Sequence, residues 1–117
     1  MPLSLIHILI AMNLPSLEKF EPLVVEHGLI FVNSSVVSER VARQDVRAVY
    51  VPCSKIADEV GNGKVANMVM LGAYIAATGA LREETIRQMI ESMFTGPKAK
   101  LVPLNMEALK RGMACAQ

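Results

Sequence analysis

A chain of 117 residues is long enough for one domain with a buried core, and 52% of its residues are apolar. Twelve basic against eleven acidic side chains leave a formal charge of +1, which gives no field to hold nucleic acid. Three Phe, two Tyr and no Trp supply a base-stacking surface poorly, and two cysteines, Cys53 and Cys115, are too few for an iron–sulfur cluster or a structural zinc site.

In chain order, "MPLSLIHILIAM" lacks the basic residue that precedes the apolar run of a signal peptide, since the first one is Lys19. With the low cysteine count this gives a cytoplasmic protein as the expectation. "HILIAM" is predicted to be a strand buried on both faces. In "NLPSLEKFEPLV", Asn13 is placed to cap a helix, Pro15 is tolerated in its first turn, and Pro22 ends it near Glu21. Leu17, Phe20 and Leu23 make its apolar edge. "HGLIFVN" reads as a second buried strand entered through Gly28, residues 34–45 as a solvated loop, and "VRAVYVP" as a third strand. Ser54 is then expected to cap "KIADEV", with Gly61 at the left-handed helix end.

The stretch "GNGKVANMVMLGAYIAATGA", residues 61–80, opens like a phosphate loop. It lacks the Gly at position 58 and the Ser or Thr after Lys64 that a Walker loop needs. As a membrane span it is short, contains Asn67, Gly72 and Gly79, and has no aromatic belt. A helix buried in a soluble protein remains, with small residues Ala66, Gly72, Ala73, Ala76 and Ala77 that let another backbone approach. Asn67 is either a core amide or a polar contact to a ligand. Free N–H groups around Asn62, Gly63 and Lys64, with the Lys64 ammonium, would suit an anionic group such as a phosphate.

Two more helices follow. In "LREETIRQMIESMF", Ile86, Met89, Ile90, Met93 and Phe94 form one apolar stripe. Glu83 and Glu84 suit its first turn, and Arg82 is a poor cap. In "LNMEALKRG", Asn105 is expected to cap, Leu104 and Leu109 to form a hydrophobic staple, and Gly112 to stop the helix. No catalytic constellation and no metal-ligand spacing stand out. Strands alternating with helices predict an α/β protein with a parallel or mostly parallel sheet flanked by helices. The usual opening strand and glycine-rich turn are missing, so the chain reads as a Rossmann-like half-domain.

"AMNLPSLEKF", "GLIFVNSS", "VYVP" leading into "IADEVGNGKVANMVMLGAYIAATG", and "LNMEALKRG" closely resemble the gamma subunit of 2-oxoacid:ferredoxin oxidoreductases. The resemblance covers residues 8 to 112, and "VANMVMLGA" after a Gly-Asn turn is its most specific part. It implies a subunit of an enzyme that oxidatively decarboxylates pyruvate, 2-oxoisovalerate or 2-oxoglutarate with coenzyme A, reducing ferredoxin. In that family thiamine diphosphate and the iron–sulfur clusters sit on other subunits, so this chain alone is expected to bind no cofactor and to carry no catalytic residue. The resemblance implies that Lys64 and Asn67, with Asn13, lie near a coenzyme A phosphate or pantetheine arm. The expected partners are the other oxidoreductase subunits and, through the complex, ferredoxin, with neither nucleic acid nor a membrane. Family members begin with a strand and a G-G-Q-G-type loop. Residues 1–7 are thus expected to be an unmatched start, and residues 8–117 the C-terminal part of the gamma-subunit domain. Rival readings are an indolepyruvate oxidoreductase subunit and a free-standing interaction module using the apolar helix at residues 65–80.

Overall fold

The computed structural model describes residues 6–79 and 81–116. Most of the segment 1–7, as well as Ala80 and the Glu83 side chain, lies outside the described residues. The chain divides into two compact units, Met1–Pro52 and Cys53–Gln117.

The first unit holds a three-stranded sheet of order β1-β2-β3, formed by β1 (Ile6–Ala11), β2 (Val24–Asn33) and β3 (Arg47–Val51). Both pairings are parallel. The expected α/β class is what the chain has, with every described strand pairing parallel. Helix α1 (Leu14–Phe20) begins at Asn13, whose Oδ1 accepts the Ser16 N–H at 2.9 Å. It ends where Pro22 was expected to end it, passing into a 3-10 turn at Glu21–Leu23. Paired residues share a sheet face, and one face supplies Leu9, Ala11, Ile30 and Val32 to a core completed by Leu17, Val24 and Val37.

The opposite face corrects the expectation for β1. Phe31, Val49 and Val51 are buried there, but Ile8 and Ile10 are 40% and 45% exposed. An apolar run alone cannot tell a strand covered on both sides from one at a sheet edge, where cover thins out. Strand β2 also starts earlier than Gly28. Its register against β1 slips between Ile6 and Ile8, and His27 adopts φ 67° there. Gly28 fits because a Cβ would stand 2.6 Å from Val24 Cγ1 and 2.9 Å from the Val25 carbonyl oxygen.

The second unit is helical among its described residues: α2 (Cys53–Val60), α3 (Ala66–Thr78), α4 (Glu83–Met93) and α5 (Val102–Cys115). Ser54 lies inside α2 instead of capping it, because the helix starts directly after Pro52. Gly61, at φ 115°, takes the conformation expected of it. Arg82 makes no side-chain cap bond, as its chemistry foretold. Along the α4 stripe Ile86 and Ile90 are buried in a core with Ile75, Met106 and Leu109, while Met89 and Met93 are 49% and 63% exposed.

Helix α5 departs most from expectation. It begins at Val102, with Pro103 in its first turn, where a missing N–H costs nothing. Asn105 therefore sits inside the helix, and its Nδ2 donates back to the Leu101 carbonyl at 2.8 Å. Leu104 and Leu109 are both helical, so no staple brackets the start. Gly112 does not stop the helix either. It is buried against α3, where a Cβ would stand 2.7 Å from the Val69 carbonyl carbon. Gly72 on α3 faces α5 in the same way, 2.9 Å from the Leu109 carbonyl carbon. The close approach expected of the small residues on α3 is thus made by a helix of the same chain. Among the described residues, no helix is long and apolar enough to cross a membrane.

Candidate functional site

Lys64 and Asn67 flank the start of α3. Residues Gly63–Val65 form a 3-10 turn that runs directly into it, and both side chains are exposed. Exposure removes the core-amide reading of Asn67. The turn is held by Asn62, whose Oδ1 accepts the Lys64 N–H at 2.9 Å and whose carbonyl accepts the Val65 N–H at 3.1 Å. The Asn62 N–H itself donates to the Ala57 carbonyl at 3.0 Å. Two of the three amide groups expected to be free are therefore engaged within the protein. What this turn offers an anion is chiefly the Lys64 ammonium, which forms no ion pair among the described residues.

Beside Lys64 lies a cleft of about 220 Å³. Asn62 and Asn105 give it polar edges, and Phe94, Leu101 and Leu104 give it apolar walls. Asn105 and Phe94 come from distant sequence, so their place beside Lys64 was not legible in the chain. Asn67 is not part of this lining. Asn13 belongs to the first unit, where its side chain is engaged as the α1 cap.

The thiols do not suit metal or nucleophilic chemistry. Burial, and secondarily Cys115, push Cys53 up to about 12, and burial raises Cys115. A thiol kept protonated is a poor ligand and a poor nucleophile. Among the described residues, no group of three or more His, Cys, Asp or Glu could hold a metal ion. These side chains do not fit an iron–sulfur cluster.

Sequence reasoning also missed Arg43, in the loop read as merely solvated. It donates to both carboxylate oxygens of Asp45, at 2.8 and 2.6 Å, and to the carbonyls of Glu21 and Val24. One side chain thereby ties the loop to the end of α1 and the start of β2. Its hydrogen bonds hold the Asp45 carboxyl below the usual carboxylate range.

Residues 2–115 match the family described as pyruvate ferredoxin/flavodoxin oxidoreductase. The chain belongs to this family. Ketoisovalerate oxidoreductase subunit VorA of Methanothermobacter marburgensis is 36% identical over 107 residues, covering 90% of this chain and 22% of that protein. Its counterpart in Methanothermobacter thermautotrophicus is 38% identical over 112 residues, 94% of this chain and 23% of that one. The chain thus spans about a fifth of the length of these relatives.

Among solved structures, the gamma subunit of a keto/oxoacid ferredoxin oxidoreductase from Geobacter sulfurreducens has a TM-score of 0.80 at 28% identity, covering 94% of this chain and 63% of that chain. The 2-oxoglutarate:ferredoxin oxidoreductase of Magnetococcus marinus, with 2-oxoglutarate, coenzyme A and succinyl-CoA bound, has a TM-score of 0.83 at 20% identity, over 99% of this chain and 21% of that one. That second likeness is one of fold alone. The resemblance to the gamma subunit read from the sequence motifs is borne out.

Proposed function

We propose that this family member acts as the gamma-subunit portion of a 2-oxoacid:ferredoxin oxidoreductase, packing on the subunits that perform the chemistry. The gamma-subunit likeness over 94% of the chain carries the reading. The complex would convert a 2-oxoacid and coenzyme A to an acyl-CoA, carbon dioxide and reduced ferredoxin, with thiamine diphosphate and iron–sulfur clusters on the companion subunits. Those cofactors supply the decarboxylation and electron transfer. The part of this chain would be to bind and orient.

Within that reading, the Lys64 ammonium meets a phosphate of coenzyme A and Asn67 donates to it or to the pantetheine arm. The apolar wall of Phe94, Leu101 and Leu104 beside Lys64 suits an uncharged arm better than a second charge. Asn13 is the weakest of the three, because its side-chain oxygen already serves α1.

Affinity purification of the tagged full chain from its native cell tests the assignment. Subunits carrying thiamine diphosphate and iron–sulfur clusters are expected to come with it. A stable monomer recovered without them would favour a free-standing interaction module. For the site, coenzyme A affinity of the assembled complex should fall with Lys64→Ala and with Asn67→Ala. Unchanged affinity in both removes the site while leaving the subunit assignment standing.

A further inference from the structure

We propose that a second cleft, at the carboxyl ends of β2 and β3, binds a small oxyanion of the phosphate type. This cleft of about 210 Å³ lies wholly in the first unit and is lined by Ser34, Val37, Ser38, Glu39, Arg40 and Tyr50. It does not depend on the reading given to Lys64.

The cleft lies where parallel sheets bind ligands. Ser34 directly follows Asn33, the last residue of β2, and Tyr50 is next to last in the parallel strand β3. Open parallel sheets take their ligands outside the carboxyl ends of their strands.

The walls of the cleft are held in place. The buried Asn33 accepts the Val36 and Val37 N–H groups on its carbonyl, at 3.1 and 2.9 Å, and the Ser35 N–H on Oδ1 at 3.2 Å. Ser34 N–H donates to the Val51 carbonyl at 3.0 Å, tying the turn to β3. The Tyr50 hydroxyl accepts the Val41 N–H at 3.0 Å, and its ring carries the Arg40 guanidinium 4.7 Å from its centroid. Tyr50 therefore fixes the loop and supports its cation together.

The lining also has the chemistry of an oxyanion site. Among the described residues, Arg40 forms no ion pair, and the hydroxyls of Ser34 and Ser38 make no hydrogen bond. A guanidinium with two hydroxyl donors is the set that recognises phosphate oxygens. Glu39 lines the same cleft and opposes an anion, so it limits affinity and gives the site a second, opposite handle.

The test is a titration of the isotope-labelled full chain with inorganic phosphate, followed by NMR at the amides of Ser34, Ser38 and Arg40. Saturable shifts at these amides are expected, with affinity lowered at least about tenfold by Arg40→Gln and raised by Glu39→Gln. Parallel titrations with ADP and acetate separate the sources of the anion. Tighter binding of ADP would mark a phosphate carried on a nucleotide, equal binding a free phosphate, and either supports the proposal. Acetate binding as tightly as phosphate would overturn it. So would shifts that do not saturate, or an affinity indifferent to both substitutions.

Discussion

Replacing Gly72 or Gly112 with alanine should destabilise the protein, although alanine is the better helix former at both positions. A Cβ on Gly112 would stand 2.7 Å from the Val69 carbonyl carbon, and one on Gly72 would stand 2.9 Å from that of Leu109. Carbon atoms pack comfortably at about 3.5–4.0 Å, so α3 and α5 must separate by roughly 1 Å. Backbone is the obstacle at both places, and no side chain can rotate away. Overpacking costs about 1–3 kcal/mol, and an unyielding backbone puts these sites at the upper end. Helix propensity returns about 1 kcal/mol, leaving a net loss of about 2 kcal/mol at each site. With a urea dependence of about 1.5 kcal/mol per molar, the midpoint followed by circular dichroism should drop by roughly 1 M. The double variant should lose less than the sum of the two, because the first alanine has already parted the helices that the second must enter. Gly79→Ala is the contrasting control. Its φ of 65° penalises a side chain, but a Cβ there meets nothing within 4 Å, so about 1 kcal/mol is lost with no coupling to either helix glycine. Wild-type stability in both Gly72→Ala and Gly112→Ala would refute the backbone contact between α3 and α5.

Cys53 predicts a loss of stability in alkali. Its thiol is held at about 12 in the folded protein against about 8.5 in an unfolded chain. The raised value means that the unfolded state releases its proton first. Stability is thus full below about pH 8.5 and falls toward pH 12, by at most about 1.4 kcal/mol per pH unit for this group. Urea midpoints between pH 7 and 10 should fall less steeply in Cys53→Ala than in the wild type, and equal slopes would contradict the assignment. Asp45 acts at the other end of the scale. Its lowered folded value means that its contribution is present above the usual carboxylate pKa of about 3.9 and is lost as pH falls through the folded value. Asp45→Asn should therefore flatten the acid limb of a thermal-unfolding profile, and an unchanged limb would contradict the Arg43 tie. At the exposed β1 edge of the sheet, Ile8→Thr with Ile10→Thr should leave thermal stability nearly unchanged and reduce self-association measured by light scattering. A large loss of stability would mean that this edge is buried after all.

Much of the fold was legible because its signals are local. Asn13 before Leu-Pro, Pro22 after an amphipathic turn and Gly61 after "KIADEV" each act within a few residues, and each does what its chemistry requires. The errors arose where a local signal has two meanings. Gly112 reads as a helix stop because glycine ends helices, yet it also lets two helices touch, and only the backbone of Val69 decides between these roles. Leu9 and Ile10 are equally apolar in sequence, but one joins the core and the other faces outward at the edge of the sheet.

The same distinction governs the candidate sites. Lys64 and Asn67 stand out because a Gly-Asn-Gly turn into an uncharged helix is visible in the chain. The partners that give Lys64 a cleft, Phe94 and Asn105, lie thirty or more residues away in the chain, and no periodicity links them. Asparagine shows the limit clearly. Asn13 and Asn62 both hold a helical start through their side-chain oxygen, whereas Asn105 donates to the turn before it from inside a helix. The discriminating residue was present in the sequence. Pro103 prefers a first turn, and a first turn at position 103 leaves position 105 no room to be a cap.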